Sequence, residues 1–303
     1  MSGSGSTNGS ILSQSEDLRL VCSYLVRLME GGKLCRLFHK IVSQVYTIDA
    51  SPAPENKITG ILAPTADRIL EMFLSQDDDI GLPFEALFYA CFVTQEIFET
   101  RDNGLQRSYV VQAESWCEAA LTLAETIVRV RYIVRLLILL IPANYSPDST
   151  GFELQIYRQL KLLNSLLSLR ASLQKPVFSL LKTLLSVPQP ENREQPSILA
   201  HLGGDENLHI PLIKDIVTDP LMYPETRVAV WRYAASVMAS QQQGLAILLL
   251  FGADTGRKTA NKPAIVEDKE ERDTLLRKAI RMIVEDDLKF TDILDCQVFG
   301  NHM

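Results

Sequence analysis

From Pro224 to Gly252 the chain reads PETRVAVWRYAASVMASQQQGLAILLLFG, two apolar patterns set back to back. In the first, Val230, Ala234, Val237 and Met238 fall on one face, with Trp231 and Ala235 beside them. That is the i, i+3/i+4, i+7 spacing of a helix with a buried stripe. Pro224 suits the first helical position, where an N–H has no intrahelical partner to lose. Gln241–Gln243 interrupt the apolar pattern, and Gly244 is placed to turn the backbone left-handed after the helix. Leu245 to Phe251 is then apolar throughout, too short for periodicity to separate helix from strand. Such a run is expected to be covered on every side. A helix, a tight turn and a buried second element form the unit that stacks into helical arrays.

The rest of the chain supports the same class. Its 303 residues suffice for one large domain, two ordinary ones or part of a solenoid. Residues of the hydrophobic class make up 47%, enough for a large core, and alternating polar/apolar strands are hard to find. The reading is all-α. A net charge of −7, with basic residues scattered among acidic ones, argues against a nucleic-acid partner. Cys22, Cys35, Cys91, Cys117 and Cys296 form no CxxC pair, so buried free thiols in a reducing compartment are expected. Val128–Ile141 spans fourteen residues and holds Arg129, Arg131 and Arg135. A bilayer needs ~20 residues, and each central arginine costs about 3 kcal/mol. A core helix with its arginines toward its more exposed N-terminal part is expected, and no transmembrane segment.

Glycine and proline punctuate the order of elements. The polar start, residues 1–12, reads as a flexible linker or tag without the apolar region of a signal peptide. A helix over Ser15–Glu30 is expected to end at Gly31–Gly32, with a second over Leu34–Tyr46. Pro64 brackets the start of a third, Thr65–Ser75, and Phe84–Thr100 makes a fourth. A long pattern follows from Gln106 to Ile141, one helix or two in line, ended by Pro142. Phe152–Leu173 is one amphipathic helix, and Pro176 opens a shorter one to Val187. Residues 188–206, with Pro188, Pro190 and Pro196, are the candidate hinge between N-terminal repeats (13–187) and C-terminal repeats (207–303). Ser197–Leu202 and Leu208–Thr218 are weaker helices, and 253–268 is a mobile loop. Roughly ten to fourteen helices without a strict period give an irregular HEAT/armadillo-like α-solenoid segment, with a closed multi-helix bundle as the alternative.

Motifs of chemistry fail on spacing. Gly252 and Gly256 have three residues between them where a phosphate-binding loop needs four, and Lys258 is displaced by Arg257. No parallel sheet is expected beneath that loop. Asp77, Asp78 and Asp79 with Glu85 lack the alternation of a calcium loop. His39, His201, His209 and His302 stand apart from one another and from cysteine, which gives no metal set. Asp286–Asp287 diverge on a helix. The reading is no enzyme, no cofactor and no metal.

Glu225–Gly252 resembles a stretch of the large fungal inner-ring scaffold nucleoporins of the nucleoporin 188 type, and less closely their nucleoporin 192 relatives. The positions that carry it are Arg227, Trp231, Gln242, Gln243, Leu245, Ala246, Leu248–Leu250 and Gly252. The resemblance implies a fragment of a much longer superhelix of irregular helical repeats. It also implies a scaffold role in the nuclear pore complex at the nuclear envelope, in nucleocytoplasmic transport of mRNA and protein. The partners it implies are linker segments of other nucleoporins, with transport receptors as a further class. Such a partner lays apolar anchors into a groove between helices. Trp231, Tyr233 and Phe251 are the candidate contacts, although a tryptophan at helical spacing also reads as core. The alternative function is a solenoid adaptor or nuclear transport receptor that binds cargo or a small GTPase; a helical enzyme domain is a third.

Overall fold

The computed structural model describes residues 7–46, 57–74, 88, 106–138, 151–187, 195–203, 206–219, 221–251, 275 and 277. Residues 88, 275 and 277 are helical, the others lie in or beside ten helices, and among the described residues there is no strand: α1 Thr7–Tyr46, α2 Lys57–Leu74, α3 Gln106–Ile138, α4 Gly151–Arg158, α5 Leu160–Leu169, α6 Ala171–Ser186, α7 Ile198–Leu202, α8 Glu206–Thr218, α9 Pro224–Ala239 and α10 Gln243–Phe251. The chain is all-α. It divides into two compact units, Met1–Thr126 and Ile127–Met303. That boundary lies inside α3, away from the proline-rich 188–206.

In the first unit α1 runs unbroken through Gly31–Gly32, where the sequence predicts an end. Trp116 of α3 is the reason. A Cβ on Gly32 would stand 2.6 Å from Trp116 Cδ1 and 2.8 Å from its Cβ and Cγ. Glycine here admits an indole against the helix backbone, and the packing outweighs its weak helix propensity, about 1 kcal/mol below alanine. The buried stripe of α1 is Leu25, Leu28, Gly32, Cys35 and Val42. Cys35 is deeply buried, which pushes its thiol pKa up to about 12. Cys22 corrects the expectation of buried thiols: it lies off the stripe and is exposed. Cys117 is buried, and Cys91 and Cys296 lie outside the described residues. His39 donates from Nδ1 to Thr126 Oγ1 (2.8 Å), whose own hydroxyl donates to the Thr122 carbonyl. Helix α2 packs on α1 through Phe38 and Phe73, edge to face at 6.3 Å, and through a Tyr46–Asp67 hydrogen bond.

Pro64 does not open α2; it lies inside it, as Pro176 lies inside α6 and Pro211 inside α8. Each lies beyond the first turn, where its helix already has an i−4 carbonyl to lose. The ring removes one ladder bond and leaves the i−4 carbonyl to other partners. For Pro64 that carbonyl belongs to Gly60, and both residues are exposed to water.

The second unit is built on α6 packed against α9. Helix α5 is joined to α4, α6, α7 and α8, and α10 lies on α9 and α7. Leu163, Leu166, Leu173, Val177, Phe178, Leu180, Val230 and Val237 are fully or almost fully buried between them. Each such side chain stabilises by about 1.5–3 kcal/mol relative to exposure. The helix expected over Phe152–Leu173 is three pieces, broken near Gln159 and at the extended Arg170. Buried Gln174 donates to the Leu167 carbonyl across the second break (3.0 Å), so the end of α5 is satisfied. Arg131 corrects another expectation. It is 9% exposed and pairs with Glu153 of α4, which is 8% exposed, so the pair offsets the cost of burying either charge. No helix among the described residues is long and apolar enough to cross a membrane.

Candidate functional site

Helix α9 begins at Pro224 in the first turn and ends at Ala239, after which Ser240 is extended. Of its predicted apolar stripe, Val230, Ala234 and Val237 are at most 1% exposed, and Met238 is half-buried. Trp231 is 3% exposed and Tyr233 fully buried, so both candidate contacts lie in the core. The Tyr233 ring meets Phe178 at 5.5 Å.

Tyr233 also closes a polar chain that no spacing in the sequence reveals. His209 on α8 donates from Nδ1 to Asn164 Oδ1 on α5 (2.7 Å), and its Nε2 accepts from the Tyr233 hydroxyl (3.1 Å). One donor and one acceptor is what a neutral imidazole offers, so the ring is satisfied uncharged. Burial lowers its pKa to about 4 and raises that of Tyr233. A histidine beside a tyrosine has the chemistry of a proton relay, but with His209 at 1% and Tyr233 at 0% exposure no substrate reaches it. Its work is to fix α5, α8 and α9 in register.

The glutamines that interrupt the apolar pattern are a second such device. Gln242, 3% exposed, accepts from the Ile198 N–H (2.9 Å) and donates to the Pro196 carbonyl (2.9 Å). Gln241 accepts from the Gln195 N–H (3.1 Å), and the Gln195 side chain donates to the Leu184 and Leu185 carbonyls at the end of α6. The described part of the proline-rich stretch is thereby tied to the α9–α10 turn. Gly244 is not the left-handed residue expected; it lies inside α10, where an added Cβ would stand 3.2 Å from Leu199 Cδ1. Among the described residues the glycine with a positive φ is Gly203, φ 63°, which ends α7.

Helix α10 departs from the expectation in the way that bears most on function. Leu245 and Leu249 are buried, but Ile247 is 47% and Phe251 58% exposed. One face of an apolar helix is covered and the other is open, with Phe251 at its end. Of the three candidate contacts, Phe251 is therefore the one at the surface. Among the described residues no three metal-ligating side chains converge. The Gly252–Lys258, Asp77–Glu85 and Asp286–Asp287 candidates and His302 lie outside the described residues. His201 donates to the Ser197 carbonyl (2.8 Å) within α7 and its cap.

Residues 23–253 match the family described as Nucleoporin Nup188, N-terminal subdomain III. The chain is also 25% identical, over 227 residues, to nucleoporin nup184 of Schizosaccharomyces pombe. That alignment takes in 73% of this chain and 13% of the relative, so the chain spans a small part of the relative's length.

Proposed function

Because this chain belongs to the Nup188 family of nucleoporins, a component of the nuclear pore complex at the nuclear envelope, we propose that it acts there as a scaffold segment holding other nucleoporins. Its partners are linker segments that dock on helical faces, and it performs no chemistry of its own. The observation that carries this reading is the open apolar face of α10, Ile247 and Phe251, standing on a turn braced by Gln241 and Gln242. An aromatic at the edge of a rigid helix pair supplies the anchor that a short amphipathic or extended segment needs. The polar groups beneath it are consumed in packing, which suits a support.

The test is capture of nucleoporins from nuclear-envelope extract on the immobilised chain, compared with Phe251→Asp and Ile247→Asp. A charge on that face is expected to reduce retention about tenfold or more, because an apolar anchor is replaced by a desolvated carboxylate. Retention equal to the parent's in both variants removes α10 as the docking face. Capture of a small GTPase that depends on its nucleotide, with no nucleoporin recovered, overturns the scaffold reading in favour of a transport receptor.

A further inference from the structure

Helix α1 carries a second pattern, turned away from its buried stripe. Leu20, Ser23, Arg27, Glu30, Leu34 and Leu37 are spaced alternately three and four residues apart, the a/d spacing of a coiled-coil seam. All six are exposed, with Leu20, Leu34 and Leu37 at 70%, 48% and 51%. Leu25, Leu28, Cys35 and Val42, which face the core, fall at other positions of the same heptad. At a helical rise the seam is about 25 Å long. Among the described residues neither Arg27 nor Glu30 joins an ion pair, whereas Arg68 and Glu71, at the same spacing on α2, pair with each other at 2.6 Å.

The order of these residues decides what the seam complements. Run antiparallel against a second copy of itself, it sets Leu20 on Leu37, Ser23 on Leu34 and Arg27 on Glu30. Each contact then recurs across the two-fold axis, as an isologous interface requires. Every leucine meets a leucine or a small serine, and each charge meets its opposite. A parallel pairing would set Arg27 on Arg27 and Glu30 on Glu30, like charges in contact. A seam that is its own complement when reversed favours a copy of the same chain over an unrelated helix. On the flank, exposed Val26 comes under the methylenes of Lys33 from the second copy. Arg19 and Lys40, also exposed, come together in this register, and their repulsion keeps the association weak.

We propose that α1 pairs with α1 of a second copy of this chain as an antiparallel, two-fold dimer. Leu20–Leu37 contacts close its two ends, and reciprocal Arg27–Glu30 pairs lie about the axis. A single seam of this length falls short of the ~1,600 Å² of a standard interface, so a dissociation constant of about 10–100 μM is expected. The proposal is independent of the scaffold reading and uses a different surface from α10.

Sedimentation equilibrium of the whole chain, from about 5 to 500 μM, measures the dimer. A reductant is present throughout, because Cys22 is exposed and could cross-link two chains. Arg27→Glu and Glu30→Arg, each alone, set like charges face to face and are expected to weaken the dimer about tenfold or more. An equimolar mixture of these two variants restores opposite charges across the seam, as does the double exchange in one chain. Both are expected to associate as the parent does. Leu20→Ser with Leu37→Ser is expected to leave monomer alone. These four side chains are exposed, and recovery in the mixture excludes misfolding as the cause of the single losses. Phe251→Asp is expected to dimerise as the parent does, so this surface and the α10 face fail independently. A parent that stays monomeric throughout the range overturns the proposal. So does a dimer indifferent to both charge variants, a loss that the mixture does not recover, or a dimer lost in Phe251→Asp.

Discussion

Gly32→Ala tests the helix assignment at its most counter-intuitive point. In an open helix this change stabilises, because glycine costs about 0.5–1 kcal/mol relative to alanine. At Gly32 the new methyl would meet Trp116 at 2.6–2.8 Å, where carbon contacts prefer about 3.5–4.0 Å. One of those atoms is the Trp116 Cβ; it moves only with its backbone, so turning the ring does not relieve the contact. Helices α1 and α3 must then part locally, and overpacking of this kind costs about 1–3 kcal/mol. The net expectation is a loss of about 1–2 kcal/mol after the propensity gain is subtracted. Gly60 in α2 is the matched control, since an added Cβ there meets nothing within 4 Å. Gly60→Ala should gain about 0.5–1 kcal/mol. Urea unfolding, followed by circular dichroism and tryptophan fluorescence, measures both. In melting temperature each kcal/mol is worth about 2–4 °C for a domain of this size range. The signature is opposite signs for the same chemical change in one unit. If Gly32→Ala stabilises as Gly60→Ala does, Trp116 is not packed on that backbone, and α1 ends at Gly31–Gly32 as local propensity suggests.

Two further outcomes follow from the polar devices of the second unit. Gln242→Ala leaves the Ile198 N–H and Pro196 carbonyl without their partner and should destabilise by about 2–4 kcal/mol. Gln242→Glu keeps the acceptor but sets a carboxylate against the Pro196 carbonyl and should cost no less; hydrogen exchange of 195–203 as slow as the parent's would refute the staple. His209 gives a pH dependence with a defined sign. Its pKa is lowered from 6.5 to about 4 in the fold, so the unfolded chain binds the extra proton between those values. Its contribution is complete above about pH 6.5 and is lost as pH falls toward 4, roughly 3 kcal/mol across that window. His209→Gln, compared with the parent in urea titrations from pH 7 to 4.5, should flatten the decline; an unchanged slope removes His209 as its source.

The all-α class, the start of α9 and most of its buried stripe were legible in the residues alone, while the left-handed glycine expected after it was not Gly244. Periodicity and a proline at a helix start are local properties, and both survive in the structure. The site was only partly legible. Phe251 is at the surface, while Trp231 and Tyr233 lie in the core, because a sequence does not say which side of an apolar helix its neighbours cover. The Asn164–His209–Tyr233 chain joins residues 45 and 24 positions apart, and nothing in their spacing could have linked them. Tertiary structure alone decided that α1 runs through two glycines, that Pro64, Pro176 and Pro211 sit inside helices, and that Arg131 is buried. The physical reason is the balance of magnitudes. A glycine's local penalty is about 1 kcal/mol, and a packed indole or a satisfied amide supplied by a distant helix is worth as much or more.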